Sequence, residues 1–196
     1  MGVTAAETRI AAVVSRCVTA LAHDPLFLDT ETTGLGVTDQ VVDLAVIDRT
    51  GKVLFDSLVR PTIPMPPEVS AVNGITPEML ESAPTFAEIM PVLAPIVSDR
   101  RVITYGAGFD VKMIRQTANA WRIPTPVPGA FCAMIAYAEF HGEKSAWGQW
   151  KWQKLEAAAR QCRIEVPEKL HRALADTELL RRLFLHMTSH GPGSRR

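Results

Sequence analysis

Leu26-Phe27-Leu28-Asp29-Thr30-Glu31-Thr32-Thr33-Gly34-Leu35 begins as an apolar run and turns acidic. The first three residues read as a buried strand rising to Asp29. Side chains alternate along a strand, so Asp29 and Glu31 share a face while Thr30 turns the other way, into packing. Two neighbouring carboxylates repel, and a buried pair is costly. A hard cation such as Mg²⁺ or Mn²⁺, which prefers oxygen ligands, removes that repulsion. Taken alone, an Asp-x-Glu pair is more often two surface acids at a strand end, so the rest of the chain decides.

After the Gly34 and Gly36 turn, residues 41–48 and 53–59 read as strands joined by the hairpin turn Arg49-Thr50-Gly51-Lys52. The sheet therefore starts antiparallel. Four prolines make residues 61–67 an extended loop, and Asn73-Gly74-Ile75-Thr76-Pro77 a further turn. Residues 85–98 carry Phe86, Ile89, Met90, Leu93 and Val97 at helical spacing, with Pro91 and Pro95 expected to bend or shorten the helix. A strand over 101–105, a helix over 109–120, a proline loop, a last strand over 127–131 and helices over 133–141 and 155–161 follow. Leu174, Leu180 and Phe184 anchor a final helix. Hairpin strands followed by strand–helix alternation give an α/β fold, a mixed β-sheet flanked by helices. At the front, residues 4–22 read as an amphipathic helix. Ala20-Leu21-Ala22 resembles a cleavage site, but Arg16 interrupts the apolar stretch before it. The expected division is a helical extension over 1–24, one main domain over 25–188 and a disordered tail over 189–196.

Composition narrows the class. The 196 residues suffice for one domain with a proper core. Lys+Arg and Asp+Glu are both 21, and this balance argues against a protein that grips long duplexes by overall charge. Bound cations could still supply positive charge where a phosphate sits. Three cysteines, Cys17, Cys132 and Cys162, with no Cys-x-x-Cys pair, speak against a disulfide framework or zinc knuckle and for a reducing, cytoplasmic setting. No apolar run approaches a membrane span.

Two further segments carry acids. Asp110, in Tyr105-Gly106-Ala107-Gly108-Phe109-Asp110, follows a strand and opens a helix, where the macrodipole alone would favour an acid. The glycines suggest a dinucleotide fingerprint, but Val111 holds the third glycine position and no acid stands about 20 residues on. His171 and Asp176 are five apart, so on one continuous helix they would lie about 140° from each other. They can share a site if His171 lies in the loop before the helix and Asp176 on its second turn. Leu174, Thr177 and Leu180 make Asp176 half-buried, where an unpaired acid is expensive. Taken in order, the three segments point to a nuclease that removes nucleotides from a 3′ end.

These segments resemble the three motifs of the DEDDh (DnaQ-like) 3′–5′ exonuclease family, which includes the DNA polymerase III epsilon subunit and RNase T. Asp29 and Glu31 match the first motif, Asp110 the second, and His171 and Asp176 the third. The resemblance runs from about residue 26 to 187. Two segments depart from it: Tyr105-Gly106 stands where His-Asn is usual, and Asn73 where His precedes Gly-Ile-Thr. The resemblance implies an RNase H-like fold and hydrolysis with two divalent metal ions, Mg²⁺ or Mn²⁺. It implies metal ligation by Asp29, Glu31, Asp110 and Asp176, with Asp29 bridging the ions, and His171 as general base. Thr32 and Leu35 are expected to touch the terminal nucleotide. Phe109 could join them, or be a core residue.

The expected substrate is the 3′ end of single-stranded DNA. A 3′ trimming exoribonuclease and a non-catalytic nucleic-acid-binding or polymerase accessory subunit are the alternatives. Trp147, Trp150 and Trp152 lie among Lys144 and Lys151, a composition suited to single-strand stacking or to capping the core. The chain ends soon after the third motif, which fits a free-standing repair or processing enzyme. Docking on a polymerase or repair partner and homodimerisation stay open.

Overall fold

A computed structural model describes residues 3–127, 129–168 and 170–189. The chain runs α1 (Ala5–Leu21), β1 (Leu26–Thr32), β2 (Val41–Asp48), β3 (Val53–Leu58), α2 (Pro67–Asn73), α3 (Pro77–Glu81) and α4 (Phe86–Val97). It continues through β4 (Val102–Thr104), α5 (Ala107–Ala120), β5 (Phe131–Cys132), α6 (Ala133–His141), α7 (Leu155–Gln161) and α8 (Ala173–Ser189). The five strands form one sheet in the order β3-β2-β1-β4-β5. The β1–β2 and β2–β3 pairs are antiparallel, whereas β4 and β5 add in parallel. This is the mixed sheet that the sequence implies, with β1 at its centre.

Strand alternation divides the interior into two layers. Phe27, Ile47 and Ile103 face one side and pack with residues of α1, α6 and α8. Leu26, Leu28, Leu44, Val46 and Val102 face the other and pack with α4 and α5. Asp29 and Glu31 continue the Phe27 face, so both carboxylates are directed toward the α8 side. On that side Phe184 of α8 meets Phe27 and Phe131 edge-on, with centroids 5.7 and 5.5 Å away. Val13, Cys17 and Ala20 bring α1 into the same cluster.

Some local expectations shift. The last strand is two residues long rather than the run over 127–131, because the proline-rich approach lacks ladder donors. α4 runs for twelve residues through Pro91 and Pro95, secured at its start by a capping box between Thr85 and Glu88. The loop and the turn stand at 61–66 and 74–76, and short helices α2 and α3, each with proline in its first turn, follow them where no element was read. Gly74 ends α2 at φ +70°, a left-handed cap that glycine adopts without strain. The expected tail lies outside the described residues, except Ser189, which ends α8.

Phe184 carries the junction of α8 with the sheet. Phe184→Ala should cost about 3–5 kcal/mol, read as a lower urea midpoint with an unchanged slope.

Candidate active site

Three elements deliver the candidate residues: the end of β1, the first turn of α5 and the start of α8. Asp29 and Glu31 are half-buried on β1. Asp110 is almost fully buried in the first turn of α5. Asp176 falls in the first turn of α8, one turn earlier than expected, and His171 lies just before that helix as expected. His171 is exposed, with φ +65°, a left-handed conformation that turns its N–H back onto Asp176 Oδ2 at 3.1 Å. Ligand atoms of Glu31, His171 and Asp176 all lie within 4.8 Å of one another.

Asp110 enters from α5, and its charge raises both Asp29 and Glu31. Its Oδ1 accepts a hydrogen bond from Thr30 Oγ1 at 2.9 Å. Thr30, expected to turn into packing alone, thus also positions an acid across the sheet. Asp29 couples the two groups electrostatically, because both Asp110 and Asp176 raise its pKa. Burial is the largest cause of that rise, which carries Asp29 well above the usual carboxylate range. Burial, then Asp176, Asp43 and Asp110, push Glu31 to about 8, with Arg172 opposing. Asp110 rises to about 6 through burial, opposed by the Thr30 hydroxyl. Burial also raises Asp176, while the His171 N–H pulls it down.

Acids raised in this way keep their protons to higher pH than free carboxylates, Asp29 and Glu31 most of all, unless a cation takes the protons' place. The donor set is carboxylate oxygen with one imidazole, which fits a hard divalent ion and gives no thiolate site for a soft one.

The candidate substrate contacts separate. Leu35 is 78% exposed on the turn after β1. That turn is fastened to α5, since Gln116 Nε2 donates to Asp39 O at 2.9 Å. Within it a side chain at Gly34 would meet Asp39 Oδ2 at 2.7 Å, which explains the glycine. Thr32 is buried, and its hydroxyl donates to Gly34 O at 2.7 Å, so it shapes the turn. Phe109 packs partly buried against the α4–α5 layer, the core alternative considered for it.

Sequence reading missed Asp43 and Arg172. Asp43 lies opposite Glu31 in the β1–β2 register and is 1% exposed. Facing acids repel across a strand pair. Here Arg172 Nε donates to Asp43 Oδ2 at 2.7 Å, and the N–H of Ala173, the first residue of α8, donates to the same oxygen at 3.3 Å. Asp43 therefore caps α8 from the sheet and ties down the residue next to His171. A shared face with Glu31 was a readable signal, but the partner 129 positions away was not.

The family model described as RNase_T, Exonuclease, matches residues 26–184. The chain belongs to the DEDDh exonuclease family. A phage protein named as uncharacterized exonuclease CP81, of Escherichia phage 186, is 37% identical over 175 residues, covering 86% of this chain and 90% of that protein. The DNA polymerase III epsilon subunit of Treponema pallidum is 28% identical over 166 residues, 83% of this chain and 75% of that one. Among solved structures, the nuclease domain of 3′hExo, a DEDDh family member bound to rAMP, superposes with a TM-score of 0.70 at 15% identity. It covers 85% of this chain and 92% of that one. This exonuclease is thus a hydrolase of nucleic acid with an RNase H-like fold, in a family that depends on divalent metal.

Two outcomes test the electrostatics. Glu31 titrates near 4.5 in a free chain and near 8 here. The folded exonuclease therefore binds a proton that the unfolded chain has lost, so the metal-free protein should lose stability as pH rises through that window. A divalent ion replaces the proton, so Mn²⁺ should raise Tm more at about pH 8 than at about pH 5. An equal rise at both would contradict this. Asp43→Ala should lower kcat on an oligonucleotide roughly 10–100-fold, the range for partners that orient a metal-site residue. Steady-state kinetics on the folded variant checks it.

Proposed function

We propose that the chain removes nucleotides from the 3′ end of single-stranded DNA, with two divalent ions, Mg²⁺ or Mn²⁺, at the acids described above. The observation that carries this reading is the convergence of Glu31, His171 and Asp176 within 4.8 Å, with Asp29 beside them on β1. Asp29, Glu31 and Asp176 would hold one ion. Asp29 would be shared with a second, served by Asp110, whose carboxylate Thr30 positions. Bound there, the ions supply positive charge for the phosphodiester oxygens and acidify the attacking water.

The protein's own groups complete the chemistry. His171 accepts the proton of the attacking water at a ring nitrogen and passes it to solvent, as its exposure allows. Its backbone N–H is bonded to Asp176, and a ring nitrogen lies within 4.8 Å of carboxylate oxygens of Glu31 and Asp176. Leu35, exposed on a fastened turn, packs against the terminal nucleotide. The catalytic unit is taken as residues 25–188, with α1 packed onto it.

Deoxyribose is favoured because the epsilon relative is by name a DNA polymerase subunit. A ribonucleotide substrate is the second reading, favoured by the rAMP bound to the structural neighbour. Matched 5′-labelled single-stranded DNA and RNA oligomers, incubated with Mg²⁺, Mn²⁺ or chelator, test both. A metal-dependent ladder shortened from the 3′ end supports the proposal, and the better substrate selects the sugar. No cleavage of either oligomer with either metal would overturn it. Asp29→Ala should abolish cleavage. His171→Ala should lower kcat about 10²–10⁴-fold, the range for a general base, with KM little changed.

A further inference from the structure

Residues 142–154, between α6 and α7, take no part in the site above. They contain Trp147, Trp150 and Trp152 with Lys144, Lys151 and Lys154, against one acid, Glu143, in a chain of zero net charge. The segment is a built hairpin. Lys144 and Trp150 bridge antiparallel. Ser145 N–H donates to Gln149 O at 2.8 Å, and Gly148, at φ +76°, donates to Ser145 O at 2.9 Å. Its base is fastened by Lys151 Nζ on Glu143 Oε1 at 2.6 Å and Gln153 Nε2 on Glu143 Oε2 at 3.0 Å.

The tryptophans divide into anchor and display. Trp150 holds the hairpin down, with the Lys144 ammonium 3.2 Å and the Arg9 guanidinium 5.0 Å from its ring centroid. Trp147 at the turn is 90% exposed and Trp152 is 66% exposed. Two indoles left in water on one fastened hairpin, among lysines, offer the kind of apolar surface that serves as a contact site. The hairpin also borders the candidate active site. Tyr105, which follows β4 and leads into α5, donates its hydroxyl to Gln153 O at 2.8 Å. Glu156, three residues further on, is close enough to Asp176 to raise its pKa.

We propose that Trp147 and Trp152 are a stacking platform for the bases of the strand upstream of the terminal nucleotide, with Lys144 and Lys154 meeting its phosphates. Every base offers a π-face to an indole, so this grip needs no sequence preference. Glu143 neutralises Lys151, whereas Lys144 and Lys154 have no ion-pair partner among the described residues, which suits a polyanion. The inference rests on the exonuclease reading and adds to it the place where the strand is held.

Wild type and the Trp147→Ala/Trp152→Ala variant are compared on a single-stranded oligothymidylate and on p-nitrophenyl thymidine 5′-monophosphate. The ester fills only the terminal site. The variant should raise KM for the oligomer about tenfold or more, as for loss of base stacking, and leave the ester rate and kcat unchanged. An unchanged KM overturns the platform, and so does an equal loss on both substrates by folded protein. Should wild type cleave neither substrate, the exonuclease reading fails separately. Tryptophan fluorescence with the oligomer in chelator then decides the hairpin. Quenching that the variant loses supports it, and no quenching in wild type overturns it.

Discussion

Carboxylates that repel one another are forced together at the end of β1, and much of the surrounding structure makes that arrangement tolerable. Glu31 and Asp43 face each other across the β1–β2 pair, and Asp29 senses Asp110, Asp176, Glu31 and Asp43 together. A chain selected for stability alone would not place so many acids there. The fold offsets them in two ways. Asp110 and Asp176 each occupy the first turn of a helix, where the macrodipole favours negative charge. Asp43 is answered by Arg172 and by the first N–H of α8. What remains uncompensated is the charge that a divalent cation would meet.

The central strand makes this geometry possible. Period-two alternation buries Phe27 under α8 and carries Asp29 and Glu31 to the same side, so one helix supplies both the Phe184 packing and the Asp176 carboxylate. Packing and chemistry are therefore linked mechanically. Any displacement of α8 from the Phe27–Phe184 contact moves Asp176 and His171 relative to β1.

The parts of this arrangement that follow local periods were legible in the sequence. Asp29 and Glu31 share a face because a strand repeats every two residues. The 140° separation of His171 and Asp176 required one of them to leave the helix, and His171 does so at φ +65°. The antiparallel start of the sheet followed from the hairpin turn at Gly51. Contacts set by register between distant segments were not legible. Thr30 reaches Asp110 across 80 positions, and Asp43 reaches Arg172 across 129. α2 and α3 were missed because proline-initiated helices of seven and five residues carry little periodic signal. The aromatic hairpin was visible as composition, but only its fold distinguishes the anchoring Trp150 from the displayed Trp147.

Asp29 and Glu31 are raised far enough to hold protons that a divalent ion would displace. Titration calorimetry of Mn²⁺ binding at neutral pH, repeated in buffers of different ionisation enthalpy, measures that exchange directly. With Glu31 pushed to about 8 and Asp29 raised as well, binding at neutral pH should release about one proton per chain or more. The release should shrink as the pH is raised above about 8 and be smaller in Glu31→Gln, where Asp29 alone of the two most raised acids remains. Binding with no proton release at neutral pH, or no binding at all by folded protein, would contradict the account.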